Sequence, residues 1–379
     1  MWTFIRAMLA ALLLGVAGQG QAAEGVTAHQ ITIGQSISLQ GGKDDYGTAV
    51  LAGIQSYLQA VNARGGVHGR QVVLRTLDDE GRPAQAEANA RKLLEKDDVF
   101  LLFGSVEGGP SNAVMKVANE FKVPLFGPLA GAPTLRRPAQ PLVFPVRAEH
   151  LDEFRALVGH AKSLGMRRVA FMRADTPIGE LHLANVKRVC QELGMSLVAD
   201  LPFKPDTPAE RYGEMAQQLE QTGAQMVFNH GGFVAYEKLI RAAKARKART
   251  AFYAVNSGAA ELVRHLGELS HGMIFAHVVP SPWERKTAIT REYQEAFSRF
   301  KPGADFSYGS LEGYVTAKAL VAALQLAGPR PTREGFVAAL QSGATLELNG
   351  LRARYEAGQH RGLEFVDIAL VTRQAKFQH

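Results

Sequence analysis

The 379-residue chain has little sulfur chemistry: one cysteine, Cys190. A single thiol excludes an intramolecular disulfide framework, so the core must rest on packing alone. Cys190 lies in the helical pattern "ANVKRVCQELG" and reads as a buried, inert thiol. Beyond the first two dozen positions no apolar run approaches the roughly 20 residues that a membrane span requires. The eleven histidines show neither H-E-x-x-H nor clustered His/Cys spacing, which leaves a zinc site unsupported. There is no G-x-x-x-x-G-K, no strand-led G-x-G-x-x-G and no G-x-S-x-G elbow. "GSLEG" around Ser310 resembles that elbow only superficially. The densest basic cluster, "RAAKARKART", closes a helical pattern. Cations there complement the negative end of the helix dipole, and no nucleic-acid partner is expected.

What is present points to export. "MWTFIR" supplies a positive start through Arg6, "AMLAALLLGVAG" is a short apolar stretch, and Gly20 and Ala22 are small. Residues 1–23 are expected to be a signal peptide cleaved near Ala22 or Ala23, leaving a protein that functions in the periplasm. Its net charge would fall from +7 to +6 with the loss of Arg6. No cysteine stands directly after that point to carry a lipid anchor, so no direct membrane insertion is expected. The full chain is 46% hydrophobic, enough for large cores.

The apolar pattern alternates between short runs and a 3.6-residue period. "ITIGQSI", "QVVLRTL", "VFLLFG" and "VPLFGP" read as strands, separated by helices such as "TAVLAGIQSYLQAVNA" and "PAQAEANARKLLEKD". A second series follows "LVFPVR", with strands "RRVAFMR", "MSLVADLPF", "AQMVFN" and "TAFYAV" between further helices. Repeated strand–helix units imply parallel sheets covered by helices on both faces. The fold class expected is α/β, two doubly wound parallel-sheet lobes joined by a three-crossover hinge. Lobe 1 is expected to comprise 24–144 and 281–343, including helices near 287–300, 308–327 and 332–341. Lobe 2 is expected to comprise 145–280 and 344–379.

The stretch "VNARGGVHGRQVVLRTLDDEGRP" poses a choice between a phosphate cradle with a metal-binding acid pair and a plain turn. Its glycines lie between a helix and the amino end of a strand, whereas phosphate cradles need strand, glycines, then helix. A helix C-cap and a tight turn fit better. Asp78 and Asp79 lie past the strand's carboxyl end, where hinge or cap hydrogen bonding is favoured over metal. Ser105 in "LLFGSVEGGPSNAV" follows a buried strand and precedes a helix, so its hydroxyl and N–H are placed to hold a carboxylate or amide. No histidine is paired with it locally, and a binding role is favoured over a nucleophilic one.

The long stretch from "IGQSISLQGGKDDYGTAV" through "VNARGGVHGR" to "DDEGRPAQAEANARKLL" resembles the leucine/isoleucine/valine-type periplasmic solute-binding proteins of ABC transporters. "FGS", "VPLFGPLAGAPTLR", "VFPVR" and "SLEGY" extend the resemblance over essentially all of the chain after residue 23. It implies a type I periplasmic-binding fold whose cleft closes on one small solute before delivery to an inner-membrane permease. The protein would then be a monomer with neither cofactor nor catalysis. An extracytoplasmic sensing module for a membrane receptor is the alternative that the same fold allows.

Carried over by motif, Tyr46 matches an aromatic of the side-chain pocket, and Ser105, followed by Val106, matches the serine that holds the ligand carboxylate. Leu129 or Ala130 would offer backbone groups, but Gly131 stands where the resemblance implies a hydroxyl. Ile178 replaces a pocket tyrosine, and "FNHGGF" keeps a ligand-facing segment with His230 and Phe233. The glutamate that would neutralise a ligand ammonium has no counterpart, since Asn256 or Ser257 falls there. Glu107 is a possible replacement acid or a rim residue, and Arg147 a partner for a ligand carboxylate or a hinge ion pair. A buried ammonium without its acid costs on the order of several kcal/mol. A small organic acid or amide without a charged α-amine is therefore expected over a free amino acid.

Overall fold

The computed structural model describes residues 24–40, 44–256 and 258–379. The expected signal segment and Ser257 lie outside these residues. Lobe 1 opens with β1 (Gln30–Ile37), α1 (Asp44–Asn62), β2 (Gln71–Asp78), α2 (Pro83–Glu95), β3 (Leu101–Phe103), α3 (Gly108–Phe121), β4 (Leu125–Phe126) and β5 (Val143–Phe144). Its five strands are parallel, in the order β2-β1-β3-β4-β5. The helices form for local reasons. In α2 a proline opens the first turn, and Ala86, Asn89, Ala90 and Leu93 bury one stripe at helical spacing.

Lobe 2 runs through α4 (His150–Ser163), β6 (Arg168–Ala174), α5 (Pro177–Leu193), β7 (Ser196–Phe203), α6 (Ala209–Gln221), β8 (Met226–His230), α7 (Phe233–Ala245), β9 (Ala251–Ala254), α8 (Ala259–Leu266) and β10 (Ile274–His277). The chain returns to lobe 1 for α9 (Ala288–Phe300), α10 (Tyr308–Ala327) and α11 (Arg333–Gln341), then forms β11 (Ser342–Leu348), β12 (Leu351–Glu356) and β13 (Gln359–Gly362). It ends with β14 (Asp367–Val371) and β15 (Phe377–Gln378), which complete a seven-stranded sheet, β15-β14-β10-β9-β8-β6-β7. β6 to β10 are parallel, while β14 runs antiparallel to β10. The lobes are thus joined at 145–149, 278–287 and 363–366.

One boundary differs from the sequence reading, which expected 344–379 to join lobe 2. β11 to β13 form a separate antiparallel sheet whose inward residues, Leu346, Leu348, Leu351, Ala353 and Tyr355, are buried in the lobe 1 core. Tyr355 packs edge-on against Phe126 and Phe144, and its hydroxyl donates to the carbonyl of Pro145 at 3.1 Å. Only the last two strands pair with lobe 2.

The glycine-rich stretch behaves as a turn. Gly66 has φ +74°, its N–H donates to the carbonyl of Val61 in the last turn of α1, and a Cβ there would stand 1.8 Å from the Arg70 carbonyl oxygen. Asp78 and Asp79 are bound by their own surroundings. Asp78 accepts from the amides of Leu39 and Glu80, and Asp79 from the Ser36 hydroxyl at 2.9 Å. The basic cluster is partly paired, Arg241 with Glu237 and Arg246 with Glu220.

Candidate functional site

In both sheets the strand order reverses beside a central strand: between β1 and β3 in lobe 1, and between β6 and β8 in lobe 2. The carboxyl ends of strands at such a point open a crevice. Here the two crevices face each other across a cavity of about 520 Å³. Lobe 1 contributes Glu107, Gly108, Gly109, Pro110, Leu129 and Ala130, and lobe 2 contributes His150, Thr176, Ile178, His182, His230 and Phe233, among others.

Two helices from opposite lobes start at this cavity without side-chain caps. The residue before α3 is Glu107, at φ +66°, whose side chain does not bond the first turn, and the residue before α7 is Gly232, which has no side chain to do so. Their first-turn N–H groups therefore present the positive helix ends to the cavity. α5 also begins here but is capped, because the Thr176 hydroxyl accepts from the Gly179 N–H at 3.1 Å.

Three imidazoles meet on the lobe 2 wall. Ring centroids lie 3.6 Å apart for His182 and His230, 4.6 Å for His150 and His230, and 5.3 Å for His150 and His182. His182 is fully buried, and neither of its ring nitrogens has a hydrogen-bond partner among the described residues. Burial pushes its pKa down to about 4, with Glu153 opposing the shift, so the ring is neutral at pH 7. His150 Nδ1 is 2.6 Å from Glu153 Oε2. Among the described residues, no group of three or more His, Cys, Asp or Glu side chains is arranged to hold a metal ion.

Behind the wall a buried polar network spans the hinge. Arg147, in the first crossing, lies 2.7 Å from Glu153 and 3.5 Å from Glu312 of α10. Glu153 also accepts from the Asn256 N–H at 2.9 Å. Glu312 accepts from Asn256 Nδ2 at 3.0 Å and from the Tyr46 hydroxyl at 2.7 Å. Asn256 Oδ1 accepts in turn from His277, whose ring stacks on Tyr308 at 3.5 Å. Burial pushes both carboxyls upward in pKa, and the Arg147 guanidinium opposes it.

The candidates named from sequence divide into three groups. Glu107, Leu129, Ala130, Ile178, His230 and Phe233 are brought together on the cavity wall. Ser105, Val106 and Gly131 are not lining residues. Ser105 is fully buried with its hydroxyl on Ser111 Oγ at 2.9 Å, turned into the start of α3 and away from the solute position expected for it. Val106 pairs with Leu129 in a short parallel bridge, and Gly131 backs onto His150. Tyr46 stands apart from this wall, on a second interlobe cavity of about 340 Å³, because its hydroxyl is drawn to Glu312. Arg147 takes the hinge ion pair rather than a place on the wall. The sequence reading missed His150, His182, Glu153 and Glu312.

Against known families, the periplasmic binding protein model matches residues 30–372. The chain belongs to the periplasmic binding protein family. This periplasmic binding protein is 25% identical over 205 residues to Leu/Ile/Val-binding protein homolog 3 of Brucella melitensis, and that match covers 54% of each chain. The chain thus spans about half the length of that curated relative. It is 24% identical to a leucine-, isoleucine-, valine-, threonine- and alanine-binding protein of Pseudomonas aeruginosa over 70% of this chain and 71% of that one. Its fold superposes on a possible leucine/isoleucine/valine-binding protein from Rhodopirellula baltica with a TM-score of 0.82 at 22% identity, over 95% of this chain and 98% of that one. The resemblance read in the sequence and the two-lobed type I fold both hold.

Proposed function

We propose that the protein captures a small organic acid without a charged α-amine in the interlobe cavity and delivers it to the permease of an ABC importer in the inner membrane. It works in the periplasm as a monomer and does not transform its solute. The observation that carries the reading is the facing pair of uncapped helix ends, α3 and α7, one from each lobe, on a single cavity. Amides held this way stabilise a carboxylate from both sides, so a bound acid favours the closed arrangement over the open one. On the described wall the sole carboxylate is Glu107; Glu153 and Glu312 are occupied by Arg147. An ammonium would lack a dedicated buried acid. A non-enzymatic role is supported by Ser105, whose hydroxyl bonds Ser111 rather than a histidine.

Calorimetric titration with short carboxylic acids and with leucine tests the proposal. Dissociation constants on the order of micromolar for an acid, and millimolar or weaker for leucine, are the expected result. Micromolar leucine binding would overturn the choice of solute. A scattering curve unchanged by every ligand that binds would overturn the closing clamp.

A further inference from the structure

The lobe 2 end of the cavity holds more hydrogen-bonding capacity than the protein itself uses. His182 lies on the buried stripe of α5 with Gly179, Leu183, Val186 and Val189, and its ring packs against Phe154 as well as His230. A histidine kept only for packing would still bond one ring nitrogen, because an unpartnered buried polar group is destabilising. Both nitrogens of His182 lack a partner among the described residues, and the residue lines the cavity. The missing partner is therefore on the solute side.

The surroundings decide what kind of group it is. A neutral His182 brings one N–H to this place, and the rings of His150 and His230 pack against it there. The uncapped amino end of α7 adds backbone donors to the same wall. No Lys or Arg lines the cavity, and its one lining acid, Glu107, belongs to lobe 1. Glu153, behind His150, is held by Arg147. A cationic group at this end would meet the positive end of a helix with no lining carboxylate beside it.

We propose that His182, packed between His150 and His230, is the specificity-determining residue of this end of the cavity and, with the amino end of α7, hydrogen-bonds a second oxygen acceptor on the solute. This rests on the receptor reading above and narrows its solute class. The ligand is a compact acid that carries a further carboxylate or carbonyl oxygen, with its first carboxylate on the α3 side and the second acceptor across the cleft on His182 and the amino end of α7.

The test compares glutarate (a second carboxylate) and 4-oxopentanoate (a carbonyl) with pentanoate, which has neither, and with leucine, by calorimetry on the full chain. At least one acceptor-bearing acid is expected to bind about tenfold tighter than pentanoate, as one charge-assisted hydrogen bond would give. The stronger of the two identifies the acceptor. His182→Leu should shrink that gap to about threefold or less, whereas His182→Gln, which keeps an N–H, should retain part of it. If His182→Leu shows no cooperative melt, His182→Gln decides alone through a reduced gap. Pentanoate binding as tightly as both acceptor acids, or a gap unchanged in the variants, overturns this inference and leaves the receptor reading standing. Failure of every acid to bind overturns both.

Discussion

Gly131 and His150 share one space: a Cβ on residue 131 would stand 2.7 Å from both Cγ and Cδ2 of the His150 ring, and the His150 N–H donates to the Gly131 carbonyl. The hydroxyl expected at 131 and the histidine at 150 are alternatives. The absence of a hydroxyl there is a consequence of packing, with an imidazole brought to the wall in its place.

Gly131→Thr should therefore destabilise the protein by about 1–3 kcal/mol through overpacking. In a chain that already carries His150→Ala, the same change should cost less, because the ring it strikes is gone, although the backbone nitrogen of residue 150, 2.8 Å from that Cβ, remains. Urea unfolding of the two single variants and the double variant measures the coupling. Strict additivity would show that the two residues do not compete.

Arg147→Met would leave Glu153 and Glu312 buried without their shared cation. A loss of about 3–5 kcal/mol is expected, the usual cost of removing one partner from a buried ion pair. Denaturant midpoints at pH 7 measure it. A change below about 1 kcal/mol would mean that the network stays compensated without Arg147.

Acidification should weaken the fold through its buried imidazoles. His182 has a folded pKa of about 4 against an ordinary 6.5, so between those values the unfolded chain binds more protons. Stability from this residue is complete above pH 6.5 and declines as pH falls toward 4, by up to about 3 kcal/mol. His277 is shifted in the same direction, also by burial. The comparison that isolates His182 is the difference in unfolding free energy between wild type and His182→Gln at pH 7 and pH 5. A difference that does not narrow at pH 5 would contradict the assignment.

Cys190 should resist alkylation in the folded protein. It is 2% exposed, and burial pushes its pKa up to about 11. At pH 8 only about a thousandth is thiolate, and access is blocked as well. Iodoacetamide followed by mass spectrometry should label it in urea but not in buffer, and rapid native labelling would refute this.

Much of the fold was legible because burial leaves a local period. The stripe of α2 and the three helices before β11 fall within a residue or two of where their patterns place them. The eight-residue α8 and strands β11 and β13 were not read, being short and weakly patterned. The site was legible in part. Glu107, His230 and Phe233 stand at strand ends or helix starts, where an open sheet puts its ligand residues. His182 and Glu153 sit inside helices, where a polar residue is easily taken for the wet face. A usable signal was present: His182 shares the apolar stripe of Leu183, Val186 and Cys190, and Glu153 that of Phe154, Leu157 and Val158.

The amino-acid order alone determined the elements, their succession and hence two doubly wound lobes, since each helix or strand announces which of its own faces is dry. It did not say what the dry face meets. The alternation in β12 required burial, and only the packing of Tyr355 against Phe126 and Phe144 assigned it to lobe 1. Tyr46 and Glu312 are 266 residues apart in the chain, yet share a 2.7 Å hydrogen bond. Local sequence encodes the need of a buried polar group for a partner; the three-dimensional path of the chain decides which partner it finds.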